Sequence, residues 1–230
     1  MPRIIPLFIL ALSLLLASAA GAESFKNVKK HVDPQARYLF YMHGLIVETE
    51  GKGASSPQYG RYLYDRIVEH FEDRGLVVIE EVRGKTNPKQ YAAKITDQVR
   101  KLMAKGVPAG NITVAGFSKG GHIALLVASS LGNPDVKYVV LAGCVKGNHK
   151  FTYDQFLKTK RGARLQGHIL SIYASSDLNA GTCRDAIAQS SGNGLTFKEI
   201  RIKSGKGHGL FYQPRPEWVE PVAQFAKGGR

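Results

Sequence analysis

The first feature that could do chemistry is a serine between glycines, in the stretch Gly116-Phe-Ser-Lys-Gly120. A short apolar run typical of a strand precedes it, and a run of good helix formers follows. A serine at a sharp turn between a strand and a helix is the arrangement of a nucleophile elbow. Flanking residues without side chains let the strand and the helix pass close together. Because Gly and Ser are common residues, the pattern also fits an ordinary βα turn with a serine at the helix N-cap.

A nucleophilic serine needs a base and an orienting acid, and both residue types follow later strands. Histidine takes the proton of the hydroxyl, and a carboxylate holds the imidazole in the required tautomer. Asp177 comes directly after a predicted strand, and His208 lies in a glycine-rich loop after the last strand. Asp154 and Asp185 are rival carboxylates, but the sequence pattern places both in helices. We therefore expect Ser118, His208 and Asp177 to meet.

The elements that must position these residues alternate along the chain. Hydrophobic patterns predict a strand, then a helix, in repeated order. This alternation predicts an α/β fold with a mostly parallel sheet of about six strands and helices on both faces. Functional sites in such sheets form at the carboxyl ends of the strands. The predicted strands are 37–42, 76–79, 112–115, 136–142, 168–174 and 196–202. The predicted helices are 61–74, 88–105, 121–131, 154–160, 184–189 and 216–227.

Two polar stretches are predicted to lack regular structure, and a third is a small segment that could hold a lid. Residues 23–34 are interpreted as an irregular lead-in, and residues 48–60 as a loop rich in Gly, Ser and Pro. The segment 143–167 is the only room for a lid over the site, and it is small. We therefore expect no large lid.

The chain resembles the α/β-hydrolase superfamily over residues 37–227. The resemblance rests on His43-Gly44, on the elbow motif, on Ser176-Asp177 and on Gly207-His-Gly209, in the chain order Ser, Asp, His. It implies that Ser118 is the nucleophile, His208 the base and Asp177 the orienting acid.

The same resemblance implies an oxyanion hole. One donor would be the backbone N–H of Lys119, and the other that of Leu45, with Ile46 as the alternative. Small single-domain serine esterases and dienelactone-hydrolase-like proteins are the most similar members, although the latter use Cys where this chain has Ser118.

The first 22 residues have the form of a secretory signal peptide. Arg3 supplies a positive charge, residues 4–16 are almost purely apolar, and Ala20-Gly-Ala22 offers a cleavage site for small residues. We expect cleavage after Ala22, which leaves a hydrolase domain over residues 23–230 in the periplasm or outside the cell. The alternative is an uncleaved anchor, but the apolar run is short for a span of ~20 residues.

Export changes the meaning of the two cysteines. In an oxidising compartment a single pair can form one disulfide. Cys144 and Cys183 follow strands that we expect to be neighbours, so a bond between them would brace the loop that carries Asp177. The alternative is two unrelated buried thiols.

The chain is strongly basic, with a formal net charge of +14 and a pI of about 9.8. This charge predicts attraction to anionic surfaces or acidic small molecules. The sequence has no basic stripe with interleaved aromatic residues, which is the pattern that would indicate nucleic-acid binding. Five basic residues in strand-end loops are compatible with an anionic substrate, but a generally solvated basic surface is the favoured explanation for the lysines spread through the loops. The five residues are Arg83, Lys85, Lys119, Lys146 and Lys206.

Other polar residues near the predicted site are interpreted more simply. Glu48 and Glu50 are predicted to be solvated loop charges, with a smaller chance that one contacts substrate. His43 is expected to shape the oxyanion loop through local hydrogen bonds, and His122 to be structural. The spacing of the remaining histidines suggests no metal site, and no cofactor is expected.

These observations favour an exported serine hydrolase that acts on a carboxylic ester or thioester through an acyl-enzyme. A small-molecule or polymeric ester would be the substrate. The alternative is a non-catalytic protein of the same fold that binds an envelope component or a protein partner. Such a binder would have no reason to keep Ser118, Asp177 and His208 together.

Overall fold

The computed structural model of the protein describes residues 22–146 and 153–229. The α-helices are α1 Phe25–Val28, α2 Leu45–Glu50, α3 Tyr64–Glu72, α4 Pro88–Ala104, α5 Lys119–Leu131, α6 Tyr153–Lys158, α7 Arg184–Ala188 and α8 Pro216–Ala226. The strands are β1 Tyr38–Met42, β2 Ser55–Ser56, β3 Gly60–Arg61, β4 Val77–Glu80, β5 Ile112–Phe117, β6 Lys137–Leu141, β7 Gly167–Ala174 and β8 Leu195–Ile202. Short 3₁₀ helices cover Gly51–Gly53, Ala109–Asn111, Arg161–Arg164 and Gly207–Tyr212.

Six strands form one sheet in the order β4-β1-β5-β6-β7-β8, and every neighbouring pair is parallel. All residues of β1 and β5 are buried, as expected for central strands covered on both faces. All six carboxyl ends therefore lie at the same edge of the sheet. The predicted six-stranded parallel sheet is confirmed.

Helices cover both faces of this sheet, as predicted. Alternate residues of a strand point to opposite faces, so Phe40 and Met42 join one apolar core while Leu39 and Tyr41 join the other. The first core is closed by α4 and α5, and the second by α3 and α8. The two cores together fix the sheet edge that carries the predicted site.

Helix α4 shows how local sequence fixes an element. The Asn87 side chain caps it by accepting hydrogen bonds from the backbone N–H groups of Lys89 (2.9 Å) and Gln90 (3.4 Å). Pro88 occupies the first turn, where its missing N–H costs nothing. Beyond the helix, Gly106 adopts a φ of +89°, which a residue with a side chain rarely takes.

Two stretches predicted to be irregular contain helices instead. In the lead-in, residues 25–28 form α1, because Phe25 and Val28 bury their side chains in the first core. In the predicted loop 48–60, Glu48 to Glu50 complete α2, and β2 and β3 pair as a short antiparallel ribbon. Both predictions followed local polarity and missed the packing of single apolar residues on the sheet.

The segment predicted to be the only room for a lid is described in part, because residues 147–152 lie outside the described residues. Its described part folds as α6 and the 3₁₀ helix Arg161–Arg164. Tyr153 and Phe156 of α6 are buried in the first core, and the Tyr153 hydroxyl accepts a hydrogen bond from the Ala186 N–H. This part of the segment therefore belongs to the body of the domain.

The predicted signal peptide falls on residues 1–21, outside the described residues, and on Ala22. The next residue already belongs to the fold, since the Glu23 N–H donates to the Val78 carbonyl across 3.1 Å. No helix in the ranges 22–146 and 153–229 has both the length and the apolar character needed to cross a bilayer.

Backbones approach one another closely where α5 meets the ends of the central strands. A Cβ atom on Gly116 would lie 2.3 Å from the carbonyl carbon of Gly120. A Cβ atom on Gly120 would lie 2.1 Å from the Met42 oxygen, and one on Gly143 would lie 2.5 Å from the carbonyl carbon of Gly121. Side chains at these positions would force the backbones apart, so glycine is required for this packing.

We therefore expect Gly120→Ala to lower the free energy of unfolding by about 3 kcal/mol or more, at the upper end of overpacking effects. Gly53→Ala is the matched control, since nothing lies within 4 Å of its Cβ position. Its effect should stay within about 0.5 kcal/mol. Urea unfolding followed by circular dichroism measures both. Equal stability of the two variants would contradict this account of the packing.

Candidate active site

Ser118 stands between β5 and α5 in a strained backbone conformation. Its φ is 54° and its ψ is −114°, in a region that residues with side chains rarely adopt. Its N–H donates to the Leu141 carbonyl (2.8 Å), and its own carbonyl accepts the first hydrogen bond of α5 from His122 (2.9 Å). The serine is thereby held at the tip of a sharp strand-to-helix turn.

Three predicted side chains lie in one hydrogen-bonded row. His208 Nε2 is 2.9 Å from Ser118 Oγ, and His208 Nδ1 is 2.8 Å from Asp177 Oδ2. Because an ionised carboxylate can only accept, Nδ1–H is the donor to Asp177, which leaves Nε2 to accept the serine proton. The Asp177 side chain is fully buried and that of His208 is 11% exposed. The rival carboxylates Asp154 and Asp185 are exposed on α6 and α7.

Backbone hydrogen bonds fix the carboxylate and tie its loop to the histidine. Asp177 Oδ1 accepts from the N–H groups of Asn179 (2.8 Å) and Ala180 (3.1 Å). The neighbouring Ser176 hydroxyl donates to the Ser204 carbonyl and accepts from the Gly207 N–H (3.0 Å). His208 itself is the second residue of the 3₁₀ helix Gly207–Tyr212, where the sequence predicted a loop.

A disulfide between Cys144 and Cys183 lies behind the Asp177 loop, and both residues are fully buried. The two strand-end loops also meet in a β-bridge between Val145 and Ala180. The bond spans 39 residues, for which the chain-entropy estimate of stabilisation is ~4 kcal/mol. It holds the Asp177 loop against the loop that follows β6.

The loop after β1 lies against the serine. A Cβ atom on Gly44 would lie 3.6 Å from the Ser118 Cβ and 3.0 Å from the Phe117 ring. Leu45 follows as the first residue of α2, with 42% of its surface exposed, and Lys119 is the first residue of α5. The N–H groups of a first helical turn make no bond within their helix, so they project toward ligands at its end.

His43 shapes this loop as the sequence predicted. Its Nδ1 donates to the Gly44 carbonyl (2.9 Å), and its Nε2 accepts from the Arg83 N–H (3.0 Å). Burial, and next the positive charge of Arg83, lower the pKa of His43 to about 3. The ring therefore stays neutral near pH 7 and keeps both hydrogen bonds.

Glu48 is not the solvated charge that the sequence predicted. Its side chain is fully buried between Arg83 Nε (2.6 Å) and Lys119 Nζ (2.6 Å). Lys119 also donates to the Thr86 carbonyl (2.8 Å), and Arg83 donates to the His43 carbonyl. This Glu48 cluster joins α2, the loop after β4 and the start of α5. Sequence alone gave no sign of it, because the three charges lie far apart along the chain. Glu50, by contrast, is exposed as expected.

The cluster also corrects the set of cations available to a substrate. The side chains of Arg83 and Lys119 are 2% and 4% exposed and both bind Glu48, so neither offers an exposed charged group to a substrate. Lys85, Lys146 and Lys206 are exposed in their strand-end loops. Any selection for anions therefore falls to exposed residues and not to the residue beside the serine.

Aromatic rings support His208, a feature that the sequence analysis did not identify. The Phe117 ring centroid is 4.8 Å from that of His208, and the Tyr59 centroid is 6.5 Å away. Phe117 in turn packs on Tyr62 and Tyr212. The polar ribbon around Tyr59 carried no pattern that could have indicated this contact.

The remaining histidines take no part in the row. His122 is buried, and burial lowers its pKa to about 4. His70 and His168 bond the Arg66 carbonyl and the Thr196 hydroxyl, and His149 lies outside the described residues. No group of three or more His, Cys, Asp or Glu in the described ranges could hold a metal ion.

Comparisons with known proteins give one family match over part of the chain and several solved structures of similar fold. Residues 78–174 match the phospholipase/carboxylesterase family. No curated protein sequence matches the chain. Among solved structures, the chain is similar to Arabidopsis thaliana SOBER1, with a TM-score of 0.54, 14% identity, and 84% of this chain and 98% of that one covered.

Two solved esterases are similar to the same degree. A truncated carbohydrate esterase from gut microbiota gives a TM-score of 0.58 at 13% identity, covering 86% of this chain and 87% of its own. An esterase of Pyrococcus furiosus gives 0.54 at 14% identity, covering 85% and 82%. Similarity at this identity establishes a shared fold.

The Glu48 cluster generates a stability prediction. Glu48→Gln would leave two buried cations without their carboxylate, so we expect the free energy of unfolding to fall by about 3–5 kcal/mol. Glu50→Gln is the matched control, because Glu50 is exposed on the same helix, and its effect should stay within about 0.5 kcal/mol. Urea unfolding measures the free energy of unfolding of both variants. A Glu48→Gln variant as stable as its control would mean that the cluster contributes nothing.

Proposed function

We propose that the chain, which has the fold of the α/β-hydrolases, is an exported serine hydrolase that cleaves a carboxylic ester or thioester. The observation that carries this proposal is the hydrogen-bonded row from Ser118 through His208 to Asp177. Each residue occupies the strand-end position that its role requires, and the histidine tautomer set by Asp177 is the one that can accept a proton from serine.

The first half of the reaction forms an acyl-enzyme. His208 Nε2 takes the Ser118 proton while Oγ attacks the carbonyl carbon, and buried Asp177 stabilises the imidazolium that results. The tetrahedral intermediate then breaks its bond to the alcohol oxygen. His208 returns the proton to that oxygen, and the alcohol, or the thiol of a thioester, departs.

The negative oxygen of the intermediate is assigned to the N–H groups of Leu45 and Lys119. Both lie at helix starts next to Ser118, and the 13-residue α5 adds the partial positive charge of its N-terminus. One donor of this kind is worth ~3 kcal/mol of transition-state stabilisation. We assign the Glu48 cluster the task of holding these two helix starts at a fixed separation.

The second half of the reaction releases the acid. Water attacks the acyl carbonyl while His208 takes its proton, and the bond to Ser118 Oγ breaks as the proton returns to the serine. Ester and water are converted to acid and alcohol, and the enzyme is restored. Nothing in this sequence of steps needs a cofactor.

The proposal of export is supported by residues 1–22 and by the disulfide. The leader has the charge, apolar run and small-residue end of a signal peptide. A buried disulfide persists in compartments outside the reducing cytoplasm. Periplasmic or secreted protein with a strongly basic surface would be attracted to anionic envelope surfaces.

A fluorophosphonate probe tests the enzyme against a non-catalytic binder of the same fold. We expect covalent labelling that peptide mapping assigns to Ser118 and that disappears in Ser118→Ala. Ser190→Ala, at a serine after α7, is the control and should label normally. Absence of labelling in the folded parent protein would favour the binder.

Asp177→Asn should slow hydrolysis of para-nitrophenyl acetate by up to ~10⁴-fold, because the imidazole loses its orienting carboxylate.

A further inference from the structure

A groove of about 300 Å³ opens beside the 3₁₀ helix that carries His208. Tyr59 forms one wall, and its ring centroid is 6.5 Å from that of His208. Gly209, the residue after His208, lies directly under this ring, because a Cβ atom there would be 2.7 Å from the Tyr59 Cβ. Tyr59 therefore contacts both the groove and His208, the base of the proposed reaction.

The other walls of this His208-side groove are polar and positively charged. They include the side chains of Lys206 and Arg215 and the amides of Gln58 and Gln213, and no carboxylate lines the groove. None of the ion pairs found among residues 22–146 and 153–229 involves either cation. Both positive charges are therefore left for a ligand.

The guanidinium is held in place but not saturated. Arg215 Nη2 donates to Gln213 Oε1 (2.9 Å), which orients the group. Its Nε is buried and has no hydrogen-bond partner within the described part of the chain. That nitrogen is closed off from solvent, so it is not the donor that a ligand would meet. A half-buried guanidinium that no carboxylate pairs still favours a carboxylate or phosphate, whose oxygens match its planar array of donors.

The position of the groove indicates which half of a substrate it meets. In the proposed reaction His208 Nε2 returns a proton to the departing oxygen, so that oxygen must lie within hydrogen-bonding distance of the ring. The alcohol half of the ester therefore leaves beside His208, and Tyr59, which packs on that ring, is also a wall of the groove. The acyl half remains on Ser118.

We propose that the groove binds an anionic group carried by the alcohol half of the ester, with Arg215 as the main contact and Lys206 as the second. This inference rests on the proposed function and narrows its substrate class to esters of acidic alcohols. The anion is a carboxylate or a phosphate, since both fit the same donors. The buried cations Arg83 and Lys119 take no part, because both bind Glu48 and neither lines the groove.

Three acetate esters with related leaving groups test the inference. Para-acetoxybenzoate and para-acetoxyphenyl phosphate carry an anion, and methyl para-acetoxybenzoate is the neutral counterpart. Each kcat/KM is divided by the rate of hydroxide-catalysed hydrolysis of the same ester, which removes differences in leaving-group reactivity. We expect the anionic esters to be preferred about tenfold, through KM, and the better of the two identifies the anion.

The variants separate the groove from the net charge of the protein. Arg215→Gln should reduce the ratio of anionic to neutral kcat/KM by about tenfold. Lys206→Gln should reduce it less, by about threefold, because Lys206 is exposed. Lys198→Gln removes the same charge from an exposed position on β8 and should leave the ratio unchanged. No preference in the parent protein, or a preference that Arg215→Gln does not alter, would overturn the proposal.

A binding measurement keeps the groove testable without turnover. Calorimetry on the Ser118→Ala protein compares para-hydroxybenzoate, the alcohol that would be released, with its methyl ester. We expect tighter binding of the anion and loss of that difference in Arg215→Gln. Equal binding of both compounds would refute the groove even if the esters are hydrolysed. Selective binding without hydrolysis of any ester would instead refute the proposed function alone.

Discussion

The candidate site depends on how closely backbones can approach at the start of α5. Four glycines make this approach possible, because a Cβ atom on any of them would lie only 2.1–2.9 Å from a neighbouring backbone atom. They are Gly116, Gly120, Gly121 and Gly143. The helix can then begin directly against the ends of three parallel strands, which forces Ser118 into its positive φ. Strain of this kind costs on the order of 1–3 kcal/mol and persists only where the surrounding structure holds it. The strained turn raises the serine above the sheet edge, where residues from two later strands can reach it.

Polar contacts fix the loops around this turn on each side. On the side of the Asp177 loop, the disulfide and the backbone N–H groups that bind the carboxylate hold the acid in position. On the opposite side, the Glu48 cluster holds the starts of α2 and α5 together. Both arrangements place charge in a buried environment where it is stable only when paired. These contacts hold the residues around the Ser118 hydroxyl in fixed positions, and nucleophilic catalysis requires such fixed geometry.

Much of this arrangement could be predicted from local patterns. Apolar runs located all six strands, since the burial of a parallel sheet leaves a strong signal, and the elbow motif placed Ser118. The order of the strand-end loops then indicated Asp177 and His208 as its partners. The burial of Glu48 could not be predicted, because it depends on Arg83 and Lys119, which reach it only in the folded chain. The same reason applies to Tyr59, whose ribbon is locally polar yet packs on His208, and to α1, whose two buried residues are too few to form a pattern.

The central claim is that backbone packing around Ser118 creates a site for a negative oxygen beside an activated hydroxyl. A crystal structure of the protein after reaction with a small alkyl fluorophosphonate tests it most directly. The account predicts phosphorus bonded to Ser118 Oγ, with one phosphoryl oxygen about 3 Å from the backbone nitrogens of Leu45 and Lys119. A phosphoryl oxygen turned away from both nitrogens, or an adduct on another residue, would contradict it.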